Sequence, residues 1–327
     1  IVPNPLRRQR EGSRRSRLIQ ASLKQPGPDP EERTHMRIAI NASAELQHTD
    51  LGRLRAHAVR AAEDGFSGWW LAQTGLIDAL TAFTALADVA PGMEFGTAVI
   101  PTFPRHPTAL AGQALTTAAA LGDRPLVLGI GLSHRPVIED MLGLSFEKPI
   151  RHLIDYLEVL QPLLESGSVD YDGEAFTAHI ATGRPVDRAP SVMVAALGEQ
   201  ALRVTGRRTD GSILWMVGER TVANHIAPRL NEAADTAGRS APRIICSLPT
   251  CVTSDVDAAR AAANAVFEIY GLLPSYRAML DREGAAGPGD VAVIGNEEQV
   301  AARLSALADA GVTDFSALEF GTNPDES

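Results

Sequence analysis

The stretch from Glu94 to His134, EFGTAVIPTFPRHPTALAGQALTTAAALGDRPLVLGIGLSH, constrains the fold most. It reads as strand, loop, helix, strand. Glu94 to Thr102 is apolar and β-prone, and it ends in Pro101 and Pro104, which cannot donate to a ladder. Pro107 to Leu121 is rich in Ala and Leu. Pro107 suits a first helical turn, where a backbone N–H would have no partner anyway. Leu126 to Ser133 is a continuous apolar run, the pattern of a strand covered on both faces in a parallel layer. Its Gly129 and Gly131 let a flat ligand approach the backbone. In a barrel of parallel strands, the carboxyl ends of the strands are where chemistry is done.

The same alternation runs along the chain. Met36–Ser43 reads as strand one and Leu51–Asp64 as a helix, with Asp50 as N-cap and Gly65 as stop. Gly68–Gln73 is strand two and Asp78–Val89 its helix, with Asp78 as its cap. The stretch already described supplies strands three and four. His134–Lys148 is then a long connection with little regular signal, suited to a lid or a ligand-facing loop. Ile150–Leu164 has apolar residues at helical spacing, and Val169–Ile180 reads as a hairpin turning at Asp172-Gly173, outside the barrel wall. Ser191–Leu197, Gly211–Val217 and Arg243–Thr253 are strands five to seven. Their helices are Glu199–Arg208, Thr221–Ala237, ended by Gly238, and Asp257–Tyr270. Leu272–Pro288 reads as an irregular or short-helical insertion, Glu297–Ala310 as the last helix and Asp314–Phe320 as strand eight. Eight strands alternating with about eight helices, without internal repeats, predict an α/β chain folded as one TIM (β/α)₈ barrel with insertions after strands four and seven.

Length agrees with this: 327 residues exceed the roughly 250 that such a barrel uses. No apolar run approaches the ~20 residues needed to span a bilayer, so no membrane partner is expected. Charge is unevenly placed. Residues 1–35 carry eight basic and four acidic side chains, a net of +4, so 36–327 carry −14 of the overall −10. An acidic body argues against a nucleic-acid partner. The basic segment lacks the apolar core of a secretory signal, and it is expected to be a disordered extension preceding a domain that spans 36–327. Cys246 and Cys251 are five apart in a strand-like run, which points them to opposite faces and disfavours a bridge. A reducing, cytoplasmic setting follows as the expectation.

Several short motifs stand in a fixed order: Asp64-Gly65-Phe66, Gly96-Thr97-Ala98-Val99-Ile100-Pro101-Thr102, Arg105-His106-Pro107, Gly129-Ile130-Gly131-Leu132-Ser133-His134, Tyr171-Asp172-Gly173-Glu174-Ala175-Phe176 and Asp210-Gly211. Their order and spacing over Met36 to Gly321 resemble the luciferase-like superfamily, and within it the oxidoreductases that depend on the deazaflavin coenzyme F420. The resemblance implies a barrel of the bacterial luciferase-like type, a small-molecule substrate and a homodimer. It also implies a bulge in strand three with a cis peptide at Ala98-Val99 that backs the deazaflavin or flavin ring, with Pro101 and Thr102 beside it. The cofactor's phosphate-bearing tail would lie at Ala196-Leu197-Gly198, where a strand passes into a helix and leaves free N–H groups.

Other residues keep two readings. At Gly129, Gly131, Ser133 and His134 the glycines serve either close packing or contact with a cofactor edge. His134 is the chosen catalytic candidate for moving a proton. The Rossmann reading of G-x-G fails because His134 stands where the third glycine belongs. Gln73-Thr74 stands where F420-dependent sugar-phosphate dehydrogenases carry an acidic residue and a histidine. Glucose 6-phosphate is therefore not the expected substrate, and Gln73 is either a ring contact or a helix cap. Tyr270, Tyr276 and Arg277 either orient a substrate or form a surface ion pair. No histidine spacing suits a metal, Arg151-His152 reads as surface or hinge, and no G-x-S-x-G elbow occurs. The expected activity is hydride transfer between F420 and a carbonyl compound or activated alkene. An FMN-dependent monooxygenase and a non-catalytic F420-binding protein are the alternatives.

Overall fold

The computed structural model describes residues 36–321. Its strands are β1 (Arg37–Asn41), β2 (Gly68–Leu71), β3 (Glu94–Thr97), β4 (Ile100–Pro101), β5 (Leu126–Gly131), β6 (Ser168–Asp172), β7 (Thr177–Ala181), β8 (Ser191–Ala195), β9 (Gly211–Trp215), β10 (Arg243–Val252), β11 (Val293–Gly295) and β12 (Asp314–Glu319). Parallel pairing runs β1-β2-β3-β5-β8-β9-β10-β12, and β12 pairs back with β1, so eight strands close into a barrel. The helices are α1 (Leu51–Glu63), α2 (Ala79–Ala85), α3 (Pro107–Leu121), α4 (Pro149–Ser166), α5 (Glu199–Arg208), α6 (Glu219–Thr221), α7 (Ala227–Thr236), α8 (Val256–Val266), α9 (Glu268–Leu272), α10 (Pro274–Glu283), α11 (Pro288–Val291) and α12 (Glu297–Asp309). The predicted TIM barrel and both insertions are present. The expectation for residues 1–35 lies outside the described residues. None of the described helices is long and apolar enough to cross a membrane.

The predicted caps form. The Asp50 side chain accepts from the N–H of Gly52, and Asp78 accepts from Thr81. Elsewhere the structure departs from the sequence reading for local reasons. Strand three breaks into β3 and β4 around a cis peptide at Ala98–Val99, as the resemblance implied. The helix expected after β9 contains a wide turn at Val222–Ile226, just before Pro228, which has no N–H to give. A second wide turn, Pro136–Met141, lies inside the connection expected to be irregular. The helix after β10 breaks at Phe267, whose ring turns in against Trp215 at 5.8 Å. The hairpin turns later than expected. Asp172 still pairs with Thr177, and the turn residues Gly173–Phe176 are held by buried Asp155 of α4. Asp155 accepts from the Tyr171 hydroxyl and the Ala175 N–H, each at 2.7 Å.

What fills the barrel differs by level. At the amino ends of the strands sit four charges: Arg37 of β1, Glu94 of β3, Arg243 of β10 and Asp314 of β12. Arg243 reaches Glu94 at 2.9 Å and Asp314 at 2.7 Å, and Arg37 reaches the same two carboxylates at 3.1 and 3.4 Å. Burial alone would lower the Arg243 pKa, but hydrogen bonds to Asp314 and Glu94 outweigh it and hold the group above its usual value. One level up, Ala39, Trp70, Val127, Met193, Ile213 and Ile245 form an apolar plug, with Ala98 and Val99 resting on it. Trp70 lies over Gly96, where a Cβ would fall 2.1 Å from the indole. Removing Arg243 would leave two buried carboxylates with the half-exposed Arg37 as their remaining cationic partner. Arg243→Ala is therefore expected to lower stability by about 3 kcal/mol, the low end of the cost of breaking a buried pair, read from urea unfolding, because Arg37 offsets only part of the buried charge.

Candidate active site

Above the apolar plug, side chains at the carboxyl ends of the strands become small. Inward alternation along the strands brings Ala98 and Val99, Gly131 of β5, Ala195 of β8 and Trp215 of β9 to this rim. Ala98, Val99 and Ala195 are half-buried, so each offers a face to the rim. Trp215 is the one bulky member. On the facing wall Asn41 Nδ2 donates to Ser247 Oγ at 3.0 Å, and Ser247 donates to the Ser316 carbonyl at 2.8 Å. Ser43 Oγ donates to Asn41 Oδ1 at 2.5 Å and accepts from the N–H of Ala72 at 2.9 Å. The rim is thus apolar on one side and finely hydrogen-bonded on the other.

The glycines serve the bulge between β3 and β4. A Cβ on Gly129 would lie 1.9 Å from the Thr97 carbonyl oxygen, and one on Gly131 would lie 2.7 Å from Val99 Cγ2. Thr97 Oγ1 also donates to the Gly129 carbonyl at 2.8 Å. Close packing is therefore the reading that geometry supports for Gly129 and Gly131. Both are buried, and the surface they sustain is the Ala98–Val99 platform.

Other predicted residues divide between rim and support. Pro101, Ser133, His134 and Leu197 are half-buried at strand ends. Ser133 adopts a left-handed backbone (φ 61°), as does Met216 at the end of β9 (φ 56°). Such conformations are uncommon for non-glycine residues and recur at functional sites. Thr102 and Ala196 are corrections, since both side chains are fully covered and cannot touch a ligand. Gln73 is also spent. Its amide donates to the carbonyls of Gly75 and Ile77, and its oxygen accepts from the N–H of Ala79, so it caps the loop before α2. Arg277 bonds Asp281 and the carbonyls of Ala285 and Ala286, which ties it to the far end of its own helix.

Thr102 introduces a residue read wrongly from sequence. His152 is buried, not a surface or hinge group. Its Nε2 lies 3.0 Å from Thr102 Oγ1, and its ring stacks on Phe103 with centroids 3.8 Å apart. Phe176 of the hairpin packs edge-on against it at 5.0 Å. Burial depresses its pKa to about 4. The apolar spacing of α4 placed the helix correctly, but no signal distinguished a covered histidine from an exposed one.

His134 and the second insertion form the opposite wall. Its Nδ1 is 3.3 Å from Ser275 Oγ, and its ring is 5.2 Å from Tyr276. Tyr276 meets Tyr270 edge-on at 5.2 Å, and Tyr270 meets Trp215 edge-on at 5.6 Å. Burial lowers the His134 pKa, so the imidazole is neutral at pH 7. Burial raises the Tyr270 and Tyr276 pKa values, so both hydroxyls stay protonated. Sequence reasoning had passed over Trp215. Its signal was alternation, since it stands two residues beyond inward-facing Ile213.

At the end of β8, Leu197 and Gly198 lead into α5, whose first turn has no side-chain cap. His225, buried in the turn after α6, donates from Nε2 to the Leu197 carbonyl at 2.8 Å and fixes this loop. Burial lowers its pKa, more than the Leu197 hydrogen bond raises it. Glu199 pairs with Arg203 at 3.1 Å and lies near enough to His225 to favour its charged form slightly.

Two measurements probe this geometry. Gly129→Ala should destabilise the protein by about 1–3 kcal/mol, because its methyl group meets a backbone carbonyl that cannot rotate aside. A histidine held neutral when folded but protonating near 6.5 when unfolded contributes stability above pH 6.5, lost as pH falls toward 4. Urea midpoints at pH 7 and 4.5 should show acid destabilisation, about 2 kcal/mol of it from His152, and correspondingly less in His152→Asn.

The comparisons agree with this architecture. An F420-dependent glucose-6-phosphate dehydrogenase of Kineococcus radiotolerans is 26% identical over 247 residues, covering 71% of this chain and 72% of its own. The structure of an F420-dependent secondary alcohol dehydrogenase, in complex with an F420-acetone adduct, superposes with a TM-score of 0.72 at 18% identity, covering 89% of this chain and 95% of its own. The oxygenating constituent of 3,6-diketocamphane monooxygenase of Pseudomonas putida, in complex with FMN, gives 0.70 at 15% identity, covering 87% and 92%. A sequence profile of luciferase-like monooxygenases matches residues 34–314, and the chain belongs to that family.

Proposed function

We propose that this chain is an oxidoreductase that binds coenzyme F420 and moves a hydride between it and an organic carbonyl compound or activated alkene. The observation that carries the reading is the Ala98–Val99 platform, a small, half-buried apolar surface at the barrel rim. A planar tricyclic ring fits such a surface. The relative at 26% identity, named as F420-dependent, favours the deazaflavin. When bound, F420 would supply or accept hydride at C5.

The chain's own residues divide the remaining work. Ala98, Val99 and Pro101 back the ring, while Gly129, Gly131, Thr102 and Ala196 hold that backing from behind. Leu197, Gly198 and the uncapped start of α5 receive the phosphate-bearing tail, where free N–H groups and the helix dipole favour an anion. Ser133 and His134 border the substrate. His134 Nδ1 faces Ser275, and its Nε2 makes no hydrogen bond among the described residues. As a neutral imidazole it accepts a proton from a substrate hydroxyl at Nε2 in oxidation, and it passes one back in reduction.

A monooxygenase of the same fold holds FMN, and the same platform would accept an isoalloxazine. Absorbance titration of the purified protein separates the two. The expected result is saturable F420 binding, weak or absent FMN binding, and hydride transfer to a panel of enones and aldehydes. His134→Gln should keep F420 affinity within about twofold and lower turnover by about 10²–10⁴. FMN binding with NADH-dependent oxygen consumption would overturn the proposal. F420 binding without any turnover would leave only a carrier.

A further inference from the structure

We infer that the substrate of this site is an uncharged, apolar carbonyl compound, held by its hydrocarbon body against Trp215, Tyr270 and Tyr276, and that anionic analogues are excluded. The inference rests on the rim being the active site and names the class of molecule it takes.

The first observation is the aromatic wall. Trp215, Tyr270, Tyr276 and His134 follow one another at 5.6, 5.2 and 5.2 Å between ring centroids, from the end of β9 across the second insertion to the end of β5. All four are half-buried, so each keeps part of its surface uncovered. Ring faces reward burial of apolar and aromatic surface.

The second is charge. A phosphate or carboxylate taken from water needs a cationic partner. The cations bordering the wall are already engaged. Arg135 pairs with Glu139, Arg277 with Asp281, and Arg220 donates to the Glu283 carbonyl. Across the rim Arg105 pairs with Asp78 and Lys148 with Glu174. Arg282 stands six residues beyond Tyr276, about 9 Å along α10. It is near enough to His225 to influence its ionisation, which places it at the tail-binding end of the slot.

The third is the surface around the opening. Leu76, Met141, Leu142, Leu144, Ile269 and Leu272 are exposed large apolar residues. Every one lies on a segment that follows the carboxyl end of a barrel strand: Leu76 after β2, the next three after β5, the last two after β10. The approach to the rim therefore presents exposed apolar side chains beside charges that are already paired.

The test compares acetophenone with 4-acetylbenzoate, which differ by one carboxylate. Calorimetric titration of the full-length protein is run with and without F420, so a failure of cofactor binding is read separately. Acetophenone should bind at least about tenfold more tightly than 4-acetylbenzoate. It should quench tryptophan fluorescence through Trp215, since Trp69 and Trp70 are fully buried, and Trp215→Phe should abolish the quench. Tyr270→Ala and Tyr276→Ala should each weaken acetophenone by about tenfold, with Tyr276→Phe restoring it. Equal affinity for the two probes, no binding of acetophenone, or indifference to both tyrosine truncations would each overturn the inference.

Discussion

A closed wall of eight strands encloses a fixed cross-section, and side chains must fill it without voids at every level where no ligand belongs. Here the fill changes from charge to bulk to almost nothing. Four ionised groups occupy the lower end, a tryptophan and aliphatic residues the middle, and alanine, glycine and valine most of the rim. The levels depend on one another. Trp70 can lie across the lumen because Gly96 has no side chain. The bulge after β3 can fold inward because Gly129 and Gly131 have none either. The platform at the rim is the top of this sequence of accommodations.

Burial depresses both His134 and His152, yet their surroundings give them different work. His152 is enclosed by Phe103, Phe176 and Tyr156 and meets Thr102, so it braces the end of β4 from behind and is almost wholly covered. His134 is half-buried, with one nitrogen near Ser275 and the other unpartnered. A proton can reach it. The second insertion completes the wall around it, so segments distant in sequence bound a single space.

Much of the architecture was legible in the sequence, because period and punctuation are local properties. The apolar runs marked all eight wall strands, and Asp50, Asp78 and Gly238 marked helix ends near where they occur. The irregular backbone at Ala98-Val99 was legible only through resemblance. What could not be read was pairing at long range. Arg37, Glu94, Arg243 and Asp314 look like four unrelated surface charges until the barrel closes. His152 was misjudged for the same reason, and the two readings left open for Gln73 and for Arg277 could be decided only by the fold. A side chain's duty depends on which carbonyls, carboxylates or rings the fold brings to it, and residue type alone does not reveal that.

The ionic lock at the amino ends has a consequence for the opposite face. Because closure is secured by residues that no ligand approaches, the segments above the rim are relieved of holding the molecule together. Leu76 can stand wholly in solvent, and Met141 nearly so, without weakening the wall. A scaffold partitioned in this way can trade one set of upper segments for another, and so change the molecules it admits, while its ability to fold is inherited intact from below.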